Sequence, residues 1–213
     1  MEIQGKIIAT GSKGNCVIFD NRIAFDLGVS YKAIEPYVYS LQIVFFTHVS
    51  HSDHFTKSTL KRLQYERPSL RIACSEHDKE ILTNMGFNNI DALNIGKLYD
   101  YGSFKICAIK LYHDCPVIGA RLLLNGKKIF YATDTCHLNS IKAIGYDEYY
   151  LESNFDEDRV YDVIREKQMN GQYAHQRGSI NSHLSVQQAQ NFVLRNGTPG
   201  KYQFIQLHQS SEF

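Results

Sequence analysis

The 213-residue sequence contains no apolar run that approaches the roughly 18–20 residues needed for a membrane-spanning helix. Its first residues, MEIQGKIIAT, also lack the basic patch and apolar stretch that are typical of a signal peptide. Linkers rich in proline, glycine or serine, low-complexity segments and repeats at solenoid periods are absent as well. We therefore expect no membrane segment and a single domain over residues 1–213.

Cysteine is scarce and scattered along the chain. There are five cysteines, an odd number, and no C-x-x-C pair. This usage argues against a disulfide framework and against a zinc site built from cysteines. It favours a reducing compartment, so we predict a cytoplasmic protein in which the cysteines are small buried apolar groups.

Neither sign of charge predominates. Lys and Arg total 23 and Asp and Glu total 22, which leaves a net charge of +1. That balance argues against a protein that grips long duplex DNA through many phosphates, although it leaves room for a small basic pocket. Hydrophobic residues make up 43% and charged residues 21%, proportions that are typical of a globular protein with a sizeable core.

Apolar and β-branched stretches alternate with segments of helical spacing. They predict strands over residues 2–9, 16–20, 22–25, 43–47, 71–74, 104–112, 117–125, 127–133, 149–152 and 202–207, and helices over 31–37, 56–66, 75–85, 156–168 and 184–195. Asn125-Gly126 is the strongest hairpin signal. Because strict βαβ repetition does not fit this order, we expect an α/β protein with two sheets and helices outside them.

Three imidazoles and one carboxylate lie within seven positions directly after a predicted strand: His48, His51, Asp53 and His54. Imidazole nitrogen and carboxylate oxygen suit a zinc-like divalent ion. Four such ligands so close in sequence cannot all serve one tetrahedral ion that also keeps an open position. A two-metal centre is the simpler interpretation, and a polar surface loop that is rich in histidine is the alternative.

This segment resembles the H-x-H-x-D-H signature of the metallo-β-lactamase-fold hydrolases, and the family's other motifs have counterparts in the same order. The counterparts are GSKGNC at residues 11–16, DLG at 26–28, His113-Asp114, ATDT at 132–135, ESN at 152–154, His183-Leu184-Ser185 and His208. The chain is most similar to the branch with bacterial exonuclease-like and phage-encoded phosphodiesterase-like members. The resemblance implies an αββα sandwich, with two mixed sheets and helices on the outer faces.

The resemblance also implies two divalent metal ions. The implied ligands are His48, His51 and His113 for one ion and Asp53, His54 and His208 for the other, with Asp134 bridging both. A water between two such ions has a lowered pKa and provides hydroxide as the nucleophile. The ligand set favours zinc, and manganese is the alternative.

The first motif departs from the family pattern. Two residues, Val49 and Ser50, separate His48 from His51, whereas the family has one residue between its first two histidines. Either the loop bulges and His48 still binds metal, or one metal position has lost a ligand. The dipeptide Thr47-His48 favours a one-residue insertion, because Thr-His opens the motif in relatives.

Four further assignments concern residues around the metal. Asp26 is predicted to hold a ligand histidine or a loop amide in place. Asp53 is predicted to act in catalysis as well as in metal binding. His183, which precedes a helical stretch, is predicted to donate a hydrogen bond to a phosphate or a proton to the leaving oxygen; a polar residue near a helix cap is the alternative. His175, in a predicted loop over residues 171–177, is a candidate for contact with a substrate or a neighbouring subunit.

Three functions compete at this point. The resemblance favours a metal-dependent phosphodiesterase that acts on a cyclic nucleotide or a nucleic-acid end, and the near-zero net charge favours small nucleotides over long duplexes. A hydrolase of another ester or amide bond is the second hypothesis, although such branches often have long active-site loops that this chain lacks. The third is a non-catalytic metal-binding module, if the altered first motif has lost a metal. A homodimer is implied by the resemblance alone.

Overall fold

The computed structural model of the protein describes residues 3–174 and 176–209. The chain divides into two compact units between Lys97 and Leu98. Each unit contains one six-stranded sheet with its own helices. The single domain expected over residues 1–213 stays a prediction.

The first unit is built around a mixed sheet whose strands lie side by side in chain order. These strands are β1 Gly5–Ala9, β2 Cys16–Phe19, β3 Ile23–Phe25, β4 Ile43–Phe45, β5 Arg71–Cys74 and β6 Ile90–Ala92. The first three are antiparallel, and β3 to β6 are parallel. The parallel strands are connected by α1 Tyr31–Ile34, α2 Lys57–Glu66 and α3 Glu76–Asn84, as parallel pairing requires.

The helices of the first unit pack against one face of this sheet. Ile18, Val44 and Ile72 of the strands belong to the same buried cluster as Leu60 of α2 and Leu82 of α3. The intervening residues of β2, β3 and β4 are buried as well. Burial on both faces explains why these strands are continuous apolar runs without polar alternation.

The second unit also contains a mixed sheet, with the strand order β12-β11-β10-β9-β8-β7. Its strands are β7 Leu98–Asp100, β8 Phe104–Lys110, β9 Ile118–Leu124, β10 Lys127–Ala132, β11 Glu148–Glu152 and β12 Gln203–Leu207. Strands β7 to β10 are antiparallel, and β10 to β12 are parallel. The helices are α4 Val160–Met169, α5 Gln176–Ser182 and α6 Val186–Asn196.

Helix α6 packs on the second sheet through aromatic residues. Phe192 stacks on Phe130 with ring centroids 5.3 Å apart, and Tyr149 belongs to the same buried cluster. The Tyr149 hydroxyl donates a hydrogen bond of 2.6 Å to the Ala143 carbonyl, which satisfies its buried polar end. A capping box that begins at Ser185 fixes the start of the helix.

The α/β class and the two mixed sheets are confirmed, and so is the hairpin at Asn125-Gly126. Both turn residues have positive φ, 51° and 79°, as a type I′ turn requires. The predicted start of the first strand at residue 2 lies outside the described residues. No helix of the described chain is long and apolar enough to cross a bilayer.

Several sequence-based expectations were wrong or incomplete. The loop predicted over residues 171–177 overlaps α5, which begins at Gln176. The helix predicted from residue 156 begins at Val160, because the Asp156 side chain accepts a hydrogen bond from the Asp158 amide and forms a turn there. Strands β6 and β7 were not predicted. All five cysteines are free, but Cys115 and Cys136 are only partly buried.

Candidate metal-binding clusters

The first cluster of predicted ligands lies at the carboxyl edge of the parallel strands in the first unit. The loop with the four predicted ligands follows β4, and Asp26 follows β3 directly. Because β3 and β4 are parallel neighbours, their carboxyl ends meet at the same edge of the sheet. The fold therefore places a buried carboxylate beneath the histidine loop.

The structure brings the four predicted ligands of this loop together. His48 Nε2 lies 3.2 Å from His51 Nδ1, and the His48 and His54 ring centroids are 4.3 Å apart. Asp53 Oδ2 is 3.5 Å from His54 Nε2. His48 and His54 are fully buried, whereas His51 and Asp53 are partly exposed. The extra residue before His51 does not separate His48 from the other histidines. We refer to His48, His51, Asp53 and His54 as the first cluster.

Asp26 contacts both a ligand histidine and a loop amide. Its Oδ2 lies 2.9 Å from His54 Nδ1, and its Oδ1 accepts a hydrogen bond of 2.8 Å from the Thr47 amide. Burial raises the pKa of Asp26, and the neighbouring His54 opposes that rise. With Nδ1–H directed at Asp26, His54 keeps the lone pair on Nε2, which is the form of imidazole that a metal binds.

The glycine-containing loop before β2 supports the same cluster. The Asn15 side-chain amide donates to Asp53 Oδ2 at 3.2 Å and lies 2.9 Å from His54 Nε2. The Asn15 backbone amide donates to the Asp53 carbonyl at 2.6 Å. A Cβ at Gly28 would lie 1.7 Å from that carbonyl oxygen, so only glycine fits where the segments meet. This loop therefore positions the predicted ligands Asp53 and His54.

A second group of predicted site residues lies at one edge of the other sheet. Asp134 follows β10, Glu152 ends β11 and His208 follows β12. These strands are parallel neighbours, so their carboxyl ends coincide. His113 follows β8, which runs in the same direction as β10 because each is antiparallel to β9.

Two carboxylates and two imidazoles converge at this edge. His183 Nδ1 is 2.8 Å from Glu152 Oε2 and 3.4 Å from Asp134 Oδ1. His208 Nδ1 is 3.7 Å from each of the same two oxygens. One ligand atom from each of the four residues lies within 4.8 Å of the others. We refer to Asp134, Glu152, His183 and His208 as the second cluster.

The second cluster is electrostatically paired. Burial alone would raise the pKa of Glu152, but the hydrogen bond from His183 and the nearby His208 imidazole outweigh it and hold the pKa below its ordinary value. Burial alone would lower the pKa of His183, whereas its contact with Glu152 raises that pKa above its ordinary value. Both directions favour a Glu152 carboxylate beside a protonated His183.

His113 lies beside the second cluster. Its ring centroid is 4.9 Å from that of His183, and its Nδ1 is 2.9 Å from the Ser182 carbonyl. Such a contact fixes the tautomer in which Nε2 can accept a metal. Asn154 holds the other end of the cluster, since its side-chain amide donates to the His208 carbonyl at 3.2 Å.

Three residues at these strand ends adopt a left-handed backbone. Asp26, Asp134 and His208 have φ values of 59°, 53° and 50°. This conformation costs energy for residues other than glycine and concentrates at functional sites. Here the left-handed residues at these strand ends coincide with residues selected from sequence motifs.

The residues present fit a divalent metal ion. Both clusters combine imidazole nitrogens with carboxylate oxygens, the donor set that zinc and related ions prefer. The assignment of individual ligands to individual ions stays a prediction from the resemblance.

Sequence reasoning gave Glu152 no role, although it included the residue in a motif. The available signal was a lone carboxylate at the end of an apolar strand, which by itself is weak. His137, three residues after Asp134, packs its ring against Tyr112 with centroids 4.5 Å apart and is not in the second cluster. His175 lies outside the described residues.

Solved structures resemble the chain over nearly its whole length. The metallo-β-lactamase fold protein YhfI from Bacillus subtilis matches with a TM-score of 0.71 and 16% identity, over 96% of this chain and 85% of that one. Human tRNase Z, short form, matches with 0.67 and 14%, over 98% and 93%. A diphosphatase from the PhnP family matches with 0.65 and 12%, over 98% and 87%.

No protein-family model matches the sequence, and no curated protein sequence does. Likeness at such low identity establishes architecture and leaves the activity open. The two mixed sheets with their helices agree with the fold of these structures and with the order of the sequence motifs. The chain therefore has the metallo-β-lactamase fold.

Proposed function

We propose that the protein is a metal-dependent hydrolase that cleaves phosphodiester bonds in nucleotides or at nucleic-acid ends. The observation that carries this proposal is the second cluster, in which two carboxylates and two imidazoles from separate strand ends and loops converge within 4.8 Å. The names of two structural neighbours, tRNase Z and a diphosphatase, add support for phosphoryl chemistry.

Divalent ions, when bound, lower the pKa of a coordinated water and offset the charge that builds on phosphoryl oxygens. The residues that we propose as ligands are His48, His51, Asp53 and His54 in the first unit and His113, Asp134 and His208 in the second. Zinc suits this donor set best and manganese is the alternative. Asp26 keeps His54 in its binding tautomer, and Asn15 orients Asp53.

His183 is proposed as the proton donor to the leaving oxygen. Its Nδ1 contacts Glu152 and Asp134, and its Nε2 makes no hydrogen bond within residues 3–174 and 176–209. The contact with Glu152 raises the pKa of His183 and so favours the protonated imidazole, and the side chain is 15% exposed, so that Nε2–H can reach a substrate. Glu152 is a positioning residue, because it holds the opposite nitrogen of that ring.

Metal analysis combined with a chromogenic diester tests this function. We expect purified protein to contain divalent metal and to hydrolyse bis-p-nitrophenyl phosphate. His51→Ala and Asp134→Ala are expected to remain folded and to lose turnover. His77→Ala changes an exposed histidine outside both clusters and serves as the matched control.

Two results would contradict the proposal. One is a metal content below about one equivalent, with EDTA changing neither stability nor activity. The other is retained turnover in both variants. The cyclic-nucleotide specificity, the homodimer and the cytoplasmic location implied by the sequence stay predictions.

A further inference from the structure

A basic groove lies beside the first cluster. This groove, of about 660 Å³, is lined by two cations, Lys13 and Arg62, and by six hydroxyl side chains, among them Ser30, Ser52, Thr56 and Ser58, and its lining contains no carboxylate. In a chain whose total charge is only +1, such a local excess of positive charge is a distinct feature.

Some polar side chains of the groove are used by the fold: Thr59 donates a hydrogen bond of 2.6 Å to the Val29 carbonyl, and Tyr31 donates one to Glu66. The others are not. Neither the Lys13 ammonium nor the hydroxyl groups of Ser30, Ser52, Thr56 and Ser58 make a side-chain hydrogen bond or ion pair among the described residues. Thr56 and Ser30 precede helices without capping them. Side chains of this type usually cap, pair or bridge when a helix start is only structural.

Arg62 is held in place from one side. Its guanidinium carbon lies 3.9 Å from the centroid of the Tyr31 ring, and its Nε donates to Glu66 Oε1 at 3.2 Å. Its Nη atoms make no hydrogen bond within the described chain. A stacked guanidinium with free Nη donors is preorganised for a phosphate, because less rotamer entropy is lost on binding.

The groove adjoins the predicted ligand Asp53. Ser52 lines the groove and precedes Asp53 in the chain. Gly28 also lines it, and its backbone is in contact with the Asp53 carbonyl. If one phosphate of a substrate lies at Asp53, the next group along the substrate's backbone would therefore lie in the groove.

We propose that the basic groove binds a non-scissile phosphate of single-stranded nucleic acid. This inference rests on the proposed phosphodiesterase function and narrows its substrate to an oligonucleotide, in preference to a cyclic mononucleotide. Two cations and several hydroxyl donors, with no acid among them, match the oxygens of a phosphodiester. A short basic groove also agrees with the near-zero net charge, since it contacts few phosphates.

Binding without turnover gives the first test. The probe is a fluorescein-labelled oligothymidylate of about ten nucleotides, titrated by fluorescence anisotropy against full-length protein in EDTA over a range of salt. Lys13→Ala and Arg62→Gln are each expected to weaken binding and to reduce the slope of log K against log salt by about 0.7. Lys61→Ala is the matched control, because Lys61 neighbours Arg62 on α2 but does not line the groove.

Kinetics with metal-loaded protein give the second test. Lys13→Ala is expected to reduce kcat/KM for the oligothymidylate about tenfold more than for the p-nitrophenyl ester of thymidine 5′-monophosphate, which has one phosphate. Thermal unfolding establishes that each variant is folded. Arg62→Gln also removes the contacts of Arg62 with Tyr31 and Glu66. If that variant unfolds, the Lys13→Ala result alone tests the proposal.

The outcomes separate this inference from the proposed function. Two results overturn the proposal that the groove binds phosphate. One is equally strong binding by wild type, Lys13→Ala and Lys61→Ala, and the other is no binding by wild type. A cyclic mononucleotide hydrolysed more efficiently than the oligonucleotide also overturns it and leaves the phosphodiesterase function standing. Salt-dependent binding that requires Lys13, in a protein without any hydrolytic activity, would support the groove and contradict the proposed function.

Discussion

Asp26 and His54 form a fully buried pair in which Oδ2 lies 2.9 Å from Nδ1. Asp26 also accepts hydrogen bonds from the Thr47 amide and hydroxyl. One carboxylate thus fixes both the orientation of a predicted ligand and the start of the loop that carries the others. A carboxylate behind a metal-binding histidine fixes its tautomer and raises its basicity.

Asp26→Asn is expected to weaken metal binding by about 10–100-fold, because the amide can keep the shape of the pair but removes its negative charge. Competition with a chromogenic zinc chelator measures the affinity. Asp91→Asn, which changes a partly exposed aspartate paired with Arg71, is the control. Equal zinc affinity in wild type and Asp26→Asn would show that Asp26 does not tune the ligand.

Gly28→Ala is expected to destabilise the fold by about 1–3 kcal/mol. An added Cβ would lie 1.7 Å from the Asp53 carbonyl oxygen and 2.8 Å from the Asn15 amide nitrogen, and both are backbone atoms that cannot move aside alone. Urea unfolding gives the stability, and metal titration should show weaker binding as well.

Gly178→Ala provides the matched substitution for that experiment. Gly178 lies in helix α5, and apart from its own neighbours and helix backbone no described atom lies within 4 Å of an added Cβ, so the variant should be more stable by about 0.5–1 kcal/mol. If both alanine variants changed stability by the same amount, crowding against Asp53 would not be the cause.

His183→Ala is expected to reduce phosphodiester turnover by about 10²–10⁴-fold while the metal content is unchanged. The reason is that His183 is proposed to donate a proton and is paired with Glu152, whereas His208 is proposed to bind metal. His208→Ala should therefore lose metal together with activity. Metal analysis of both variants after gel filtration distinguishes the roles. Loss of metal in His183→Ala would make His183 a ligand.

The hydrogen bond from Tyr31 to Glu66 predicts a pH-dependent contribution to stability. Its length is 2.6 Å, and it lowers the pKa of Glu66 from its ordinary value of 4.5. A depressed folded-state pKa means that this stabilisation is present above 4.5 and is lost as the pH falls through the lowered value. Tyr31→Phe should thus cost more stability at neutral pH than in acid.

We expect Tyr31→Phe to lower the Tm by about 2–4 °C near pH 7 and by less near about pH 3. Tyr39→Phe, which alters a tyrosine that is 79% exposed, should change the Tm little at either pH. A Tm loss for Tyr31→Phe that is independent of pH would exclude the Glu66 carboxylate as the partner that matters.

The strands that are buried on both faces were the easiest part of the fold to predict. Strands β2 and β4, and residues 129–132 of β10, are continuous apolar runs, which local sequence reveals. Strands β6 and β7 were missed because each has only three residues, none of them fully buried. Helix α5, with the sequence QRGSINS, has a single buried residue, Gln176, so its sequence shows no apolar period and its formation depends on tertiary context.

The site was predictable in its ligand types and less so in its contacts. The close spacing of His48, His51 and His54 made the first cluster visible in one segment. The second cluster joins residues that are far apart in sequence, as the separation of 31 positions between Glu152 and His183 illustrates. Spacing along the chain cannot predict such a contact, so only the order of the family motifs pointed to it. The contact between Glu152 and His183 is visible only in the structure.

Each sheet is made from one continuous part of the chain, with β1 to β6 ending at Ala92 and β7 to β12 beginning at Leu98. No strand of the first sheet therefore pairs with a strand beyond residue 97. We expect residues 1–97 to acquire protease resistance on the ribosome before the rest of the chain has been translated. Pulse proteolysis of ribosome-arrested nascent chains would detect that early intermediate.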